Sequence, residues 1–442
     1  MSIQQKSDSD DNTKDEASLI KRRAFLWNTA SGLLMAFQSV IMLVVLTRVC
    51  DVVTAGIFTF AYANANLFLN IGKYGMRNFQ VSDIDQQFNF PEYGISRVVS
   101  CIVMLVVSFC CLFISASWLD YSMEKVFVVL LMLGLKLIDA AEDVFHADYQ
   151  RQGRLDVGAR VLTFRLSATA IVFALSLMFL EILSQALLIA VLFTTAFFVL
   201  ETVYVKKYYA MPNFTGSFPR KKVFSLLFTC APLFAAAFLL FYISNSPKYA
   251  IDAVMGDTAQ AYYGYIAMPV FVVTLLASFI YNPMVSSLAQ QWSRGEITAF
   301  ISRFVILGFS VVGITLLCVF LAWLAGVPVL NFLYNTDLSA YLFDLIVLVA
   351  GGGFLALSAL FTMGITIIRF QKSLIWGYAL VAIYALVVSA FAVENWGISG
   401  AAWTYFSSMV ILALWFGISF TVGVKKNRRK EDASKTGHYT IS

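Results

Sequence analysis

Charge is what this sequence has least of. Only 13% of its 442 residues are Asp, Glu, Lys or Arg, whereas 60% are hydrophobic. Soluble globular chains hold about 45–50% apolar residues, so that class is excluded and the composition is that of a polytopic membrane protein. Cysteine chemistry is missing too: Cys50, Cys101, Cys110, Cys111, Cys230 and Cys318 lie in or beside apolar segments without metal-ligand spacing, and read as small hydrophobes. No nucleophile elbow, Walker loop or HExxH motif occurs, and no long external loop could house a catalytic domain as a membrane glycosyltransferase or polymerase would. The expectation is a protein that is not an enzyme, with no cofactor, no metal and no nucleic-acid partner. No signal peptide is expected. Residues 1–20 are polar and mostly acidic, and the hydrophobic run that follows continues to Thr47, too long for an h-region.

What is present is a series of long apolar runs. Ten charge-free stretches are long enough to span a bilayer, the short run 166–180 qualifies by borrowing its flank, and 124–147 makes a twelfth with charges inside it. The fold class is therefore all-α, with about twelve transmembrane helices. Cation placement orients them: with both termini cytoplasmic, 27 of the 31 Lys and Arg fall in inside positions, and only Arg48, Lys125 and Lys248 fall outside. Residues 1–23 read as a disordered cytoplasmic tail, 24–205 as one six-helix lobe, 206–222 as a basic cytoplasmic linker with Pro212, Gly216 and Pro219, 223–424 as a second six-helix lobe, and 425–442 as a basic tail. A weak repeat, Asp51-Val-Val-Thr-Ala55 against Asp257-Thr-Ala-Gln-Ala261, supports two related halves. Both lie just ahead of an expected helix.

Two places break the apolar pattern. At the end of the seventh run stands Asn245-Ser246-Pro247-Lys248-Tyr249-Ala250-Ile251-Asp252, a lysine directly after a proline at an expected helix mouth. Such a cation either lines water or a ligand, or snorkels to the headgroups. In the fourth helix, Lys136, Asp139, Glu142, Asp143 and His146 crowd the second half of the span. Lys136, Asp139, Asp143 and His146 share one face at steps of three and four. That stripe suits an internal salt bridge, a relay for a coupling cation or a floor for a charged substrate, and Lys136 with Asp143 is the pair expected to couple. Asn66 and Asn70, four apart, suit sugar hydroxyls or helix contact. Pro232, Pro247, Pro269 and Pro283 concentrate in helices 7 and 8, which marks these as the bent, hinge-forming part of the chain.

Several short motifs in register with the twelve spans carry a family resemblance: Gly56-Ile-Phe, Ala141-Glu-Asp-Val-Phe145 through Gln150-Arg-Gln-Gly-Arg154, Asn245 through Tyr249, Tyr263-Gly264-Tyr265 and Gly397-Ile-Ser-Gly-Ala-Ala402. Over roughly residues 24–424 the chain resembles the polysaccharide transporters, the Wzx-like O-antigen and capsule repeat-unit flippases of the multidrug/oligosaccharidyl-lipid/polysaccharide (MOP) flippase superfamily. The family usually has Pro-Arg-Tyr in helix 7, where this chain has Lys248, so the charge is kept without the bidentate fork. The resemblance implies two lobes around a cationic lumen in the bacterial cytoplasmic (inner) membrane. Its cargo would be a polyprenyl-diphosphate-linked oligosaccharide for lipopolysaccharide or capsule biosynthesis. Lys248, Arg48 and Lys136 are the available cations, with Asn245, Tyr249, Asp252, Asn66 and Asn70 beside them. A proton or sodium ion is the expected coupling ion, and a polymerase and glycosyltransferases are the expected pathway partners. Two other readings stay open: MATE-like multidrug efflux, which would use Asp139, Glu142 and Asp143 in the lumen, and a non-transporting scaffold of a cell-wall assembly complex.

Overall fold

The computed structural model describes residues 3–83, 87–208 and 220–437, and among these every element is a helix. Among the described residues, ten helices are long and apolar enough to cross a membrane. The chain forms two compact units, Met1–Ala237 and Phe238–Ser442. The expected linker at 206–222 falls for the most part outside the described residues.

The first unit contains α1 (Ile3–Val49), α2 (Val52–Lys73), α3 (Met76–Ser82), α4 (Phe90–Trp118), α5 (Met123–Arg151), α6 (Leu155–Leu180), α7 (Leu183–Tyr208) and the start of α8 (Arg220–Val254). Residues 3–19, expected to be disordered, instead begin α1. No proline or glycine stands before Gly32 to stop the helix of the first span from propagating backward. Helix starts carry the caps their sequences call for. Asp51 accepts the Thr54 N–H at 3.0 Å, and the Thr54 hydroxyl together with that N–H holds its carboxyl below the usual range. Asn89 and Glu92 form a capping box ahead of α4, and Glu92 also meets Lys222 of α8 at 2.8 Å. Between α2 and α3 the chain turns through two left-handed residues, Tyr74 and Gly75. A Cβ on Gly75 would lie 2.8 Å from that of Leu233, so both its conformation and its space require glycine. Within this unit α1 packs on α6, α2 on α4 and α5, and α7 on α5 and α6. The central helix of the group is α5.

The second unit continues from the end of α8 into α9 (Asp257–Ala267), α10 (Val270–Tyr281), a 3₁₀ turn (Asn282–Met284), α11 (Val285–Ser293), α12 (Ile297–Leu321), a π-helical stretch (Ala322–Gly326), α13 (Val327–Tyr334), α14 (Leu342–Ile367) and α15 (Lys372–Gly437). Pro269 and Pro283 interrupt the helix at α9/α10 and α10/α11, whereas α8 runs on as helix through Pro232 and Pro247. In α15 the direction changes at Gly397, whose φ of 58° and ψ of −135° are open to glycine alone. The core is aromatic and glycine-rich: Phe304 and Phe420 stack at 4.2 Å, and both rings lie against Gly364. Large apolar side chains such as Phe113, Phe179, Phe309 and Phe332 are at least 74% exposed, a surface that lipid must cover.

Candidate functional site

Charge inside the first unit is concentrated on α5 and almost entirely paired. Lys136 Nζ lies 2.9 Å from Asp139 Oδ2, donates to Gln38 of α1 at 3.3 Å, and sits 4.9 Å over the Tyr62 ring. Arg165 of α6 bridges Asp139 at 2.7 Å and Glu142 at 2.5 Å. His146 Nε2 is 2.8 Å from the other Glu142 oxygen. Asp143 turns toward different neighbours, Arg97 of α4 at 2.9 Å and Arg77 of α3 at 3.4 Å. Arg97 also donates to the Gly72 carbonyl, and Arg77 to Gln150.

The expected pairing of Lys136 with Asp143 is therefore not the one formed. Seven residues advance about 10 Å along a helix, too far for the lysine when Asp139 stands one turn away and two arginines reach Asp143 from neighbouring helices. The expectation also placed Arg97 and Arg165 in cytoplasmic loops, because charge-free runs begin just after them. They lie inside α4 and α6, where an unpaired cation would be costly and a carboxylate on α5 answers each. Glu201 of α7 was missed for the same reason, standing at the end of a charge-free run. Its Oε2 is buried without a hydrogen-bond partner among the described residues.

The motif around Gln150 folds as a helix exit. Asp148 holds Arg151 at 2.9 Å and accepts from Gln152, and Gly153 turns with a φ of 74°. Asn66 and Asn70 donate to the carbonyls of Tyr62 and Asn66 on their own helix, at 2.8 and 2.9 Å. Arg48 is exposed in the last turn of α1.

The other site is the last part of α8. The expectation put Asn245 to Asp252 at the helix mouth, and the helix continues to Val254. Pro247 has no N–H to give the Ile243 carbonyl, and Ser246 Oγ donates to that carbonyl instead at 3.1 Å, so the helix continues without an orphaned acceptor. Ser389 of α15 in turn donates to Ser246 at 3.3 Å, tying this point into the second unit. Steps of three and four put Asn245, Lys248, Tyr249 and Asp252 on one face. Asn245 donates to the Phe241 carbonyl at 3.0 Å, and the Tyr249 ring stacks on Tyr242 at 6.2 Å. Lys248 is half-buried and, among the described residues, makes neither an ion pair nor a hydrogen bond.

These features define an all-helical, multi-pass membrane protein. Its fold is that of the MOP transporters. The chain aligns over 93% of its length with 98% of the Vibrio cholerae MATE transporter VcmN in the bent form, with a TM-score of 0.60 and 11% identity. It covers 96% of a multidrug-resistance MATE family transporter of the MOP superfamily in the inward-facing conformation, with a TM-score of 0.64 and 11% identity over 91% of this chain. A MOP superfamily transporter from Pyrococcus furiosus aligns with a TM-score of 0.55 and 11% identity, over 92% of this chain and 95% of that one. No curated protein sequence matches the chain. Residues 22–289, more than half of the chain, match the polysaccharide biosynthesis protein family, and the chain belongs to it.

Proposed function

We propose that this protein is a flippase. It carries a lipid-diphosphate-linked oligosaccharide from the inner to the outer face of a bacterial cytoplasmic membrane for surface polysaccharide assembly, by alternating access. The family membership and the MOP fold support a transporter. Twelve crossings fit a cytoplasmic location for both termini. The ten candidate helices become twelve when α5 is added and the 57-residue stretch Lys372–Arg428 is divided at Gly397.

One observation carries the choice of cargo. In a helix that has no other charge between Val223 and Ile251, Lys248 makes no ion pair or hydrogen bond among the described residues. Such a residue is costly in a membrane segment unless it serves a ligand. Its ammonium matches a diphosphate, the amide of Asn245 and the phenol of Tyr249 match sugar hydroxyls, and the polyprenyl tail stays in lipid. Multidrug efflux is less well supported, because Asp139, Glu142 and Asp143 are engaged by Arg165, Lys136, His146, Arg97 and Arg77 and offer no free carboxylate to a cationic drug. A glycosyltransferase would supply this cargo and a polymerase would consume it.

The test is flipping in reconstituted vesicles. A fluorescent undecaprenyl-diphosphate sugar placed in both leaflets should become fully quenchable by an impermeant reductant only when the protein is present. Transport of a cationic dye with no movement of the lipid-linked sugar would establish efflux instead, and movement of neither would leave the scaffold reading.

A further inference from the structure

Gly397 divides α15 into two arms, 372–396 and 398–437. A groove of about 750 Å³ runs along the first arm, lined by Lys372, Ser373, Trp376, Leu380 and Ile383, with Trp415 of the second arm as its wall. The groove is built into the packing. A Cβ on Gly377 would lie 2.5 Å from Trp415 Cδ1 and 2.6 Å from Phe416 Cε1, so glycine lets the two arms meet here. The Trp415 indole N–H reaches the Ser373 carbonyl at 3.1 Å, which fixes its ring. The turn ahead of Lys372 is pinned as well, because Asn427 donates to the Ile368 carbonyl at 3.0 Å. Between Asp344 and Glu431 the chain has a single acidic residue, Glu394, at the opposite end of the first arm, while Arg369, Lys372, Lys425, Lys426 and Arg428 gather at this one. Lys372 and Arg369 are exposed and make no ion pair among the described residues.

We propose that this groove is a binding site for an anionic phospholipid, with the phosphate on Lys372 and an acyl chain running along Leu380 and Ile383 toward the middle of the bilayer. Length decides the occupant. Lys372 to Ile383 is eleven steps of helix, about 16 Å at 1.5 Å per residue, or half of a hydrocarbon core about 30 Å thick. A partner helix crossing the membrane needs a furrow of the full thickness, whereas a lipid needs one leaflet. Composition agrees along the groove. The cation stands at the headgroup end, the indoles of Trp376 and Trp415 follow at the depth that tryptophan favours in a membrane interface, and only aliphatic side chains lie beyond. The start of α15 adds the positive end of its dipole beneath the phosphate. A zwitterionic headgroup would bring its own ammonium among the cations of this rim, so the site selects net negative charge. A lipid seated there touches both arms of α15 and the turn from α14, and ties the stability of this packing to the headgroup charge of the membrane. In the proposed topology the leaflet is the cytoplasmic one. The site depends on neither the cargo nor the transport reading.

Native mass spectrometry of the purified full-length protein, delipidated in detergent and titrated with phosphatidylglycerol or with phosphatidylcholine of the same chains, reads the site directly. Phosphatidylglycerol should bind first as a single retained adduct and raise the unfolding temperature, and phosphatidylcholine should do neither. Lys372→Gln should weaken that adduct about fivefold, the effect of taking one lysine from beside an anionic headgroup. Lys426→Gln, on the same rim but outside the groove, should leave it unchanged. Ala379→Trp, which fills the groove from a side chain that lines it, should abolish the adduct in a protein that stays monodisperse. Equal binding of the two lipids by the wild type would overturn the site without any variant having to fold, and so would an unchanged adduct in Lys372→Gln. An equal loss in Lys426→Gln would make the preference a property of the whole rim and overturn it too. A dimer that competes with the lipid and disappears in Ala379→Trp would put a second copy of the chain in the groove instead.

Discussion

The helix α5 of the first unit and the end of α8 assigned to the second place charge in membrane segments by opposite rules. On α5, five ionisable residues stand within eleven positions, and Lys136, Asp139, Glu142, Asp143 and His146 all reach a partner of opposite character. At the end of α8 one cation, Lys248, makes no ion pair among the described residues, although Asn245, Tyr249 and Asp252 share its face. Clustered charge with partners from several helices fixes which helices pack and at what rotation. A solitary cation fixes nothing in the fold and is a cost the fold does not recover. The contrast separates architecture from cargo recognition by a physical criterion, whether the charge is satisfied within the protein.

The largest effect should come from breaking the satisfied network. Arg165→Met removes the guanidinium shared by Asp139 and Glu142 and leaves buried carboxylate behind, a loss of about 3–5 kcal/mol for one broken buried pair. That is a large part of the stability of most domains. Little monodisperse protein should be recovered from membranes, with transport lost in proportion. Normal yield and thermal stability for Arg165→Met would mean that α5 is not held this way.

The lone cation should behave in the reverse manner. Lys248→Ala should reach the membrane at the wild-type level and unfold at the same temperature, yet fail to restore surface polymer in a flippase-null strain. Lys248→Arg should restore it, since either cation neutralises phosphate. Lys248→Glu should be worse than alanine, because it sets like charge against the diphosphate. Snorkelling to headgroups is worth only about 1 kcal/mol per residue and makes alanine nearly silent. Full polymer from normally expressed Lys248→Ala would remove this residue from the site.

A smaller effect tests the pairing within α5. A double-mutant cycle on Lys136→Met and Asp139→Leu should give a coupling of about 0.5–3 kcal/mol, with the double variant more stable than either single one. The same cycle on Lys136 and Asp143 should give almost none, since these two do not meet. Equal coupling in both cycles would show that the network responds as a whole and not through the pairs seen.

The places where sequence and structure part follow from what a one-dimensional pattern contains. Helical periodicity ranks neighbours on the same helix, so the stripe on α5 and the outlier at Lys248 were both visible. It carries no information on which neighbouring helix comes near, and so Arg97 and Arg165 were read as boundaries of apolar runs when they are the other half of the network. Proline marked two real breaks, at Pro269 and Pro283. It overstated Pro247, where a serine hydroxyl one residue earlier covers the freed carbonyl. The turn at Tyr74-Gly75 had no proline to announce it, whereas the π-helical stretch at Ala322–Gly326 lies just ahead of Pro328. Asp51 and Asp257, read as a weak repeat, stand at helix starts in different positions: Asp51 is the N-cap of α2, whereas Asp257 is the first residue of α9 after the N-cap Gly256.

The smallest effect lies outside the spans and extends the same contrast to two aspartates in connections. Asp83, between α3 and α4, is buried and accepts from the backbone of Gln87 at 2.9 Å, the backbone of Phe88 at 3.1 Å and the Tyr93 hydroxyl at 2.9 Å. Burial pushes its carboxyl up, but these three donors outweigh it and hold the carboxyl below its ordinary value. Asp337, between α13 and α14, is also held low, by the Ser339 hydroxyl and N–H, but in an open turn. A carboxyl lowered by folding adds stability that is present above the unfolded value, near 3.9, and lost as pH falls through the folded one. Asp83→Asn should therefore be less stable than the wild type at pH 7, by about 1 kcal/mol, and the two unfolding temperatures should converge as the pH falls below roughly 4. Asp337→Asn should track the wild type at every pH, since water replaces whatever its turn loses. Thermal unfolding in detergent between about pH 3 and 7 reads both. A gap for Asp83→Asn that stayed constant to the acid end would mean that its contribution is steric, not ionic, and would confine the rule of satisfied charge to the helices themselves.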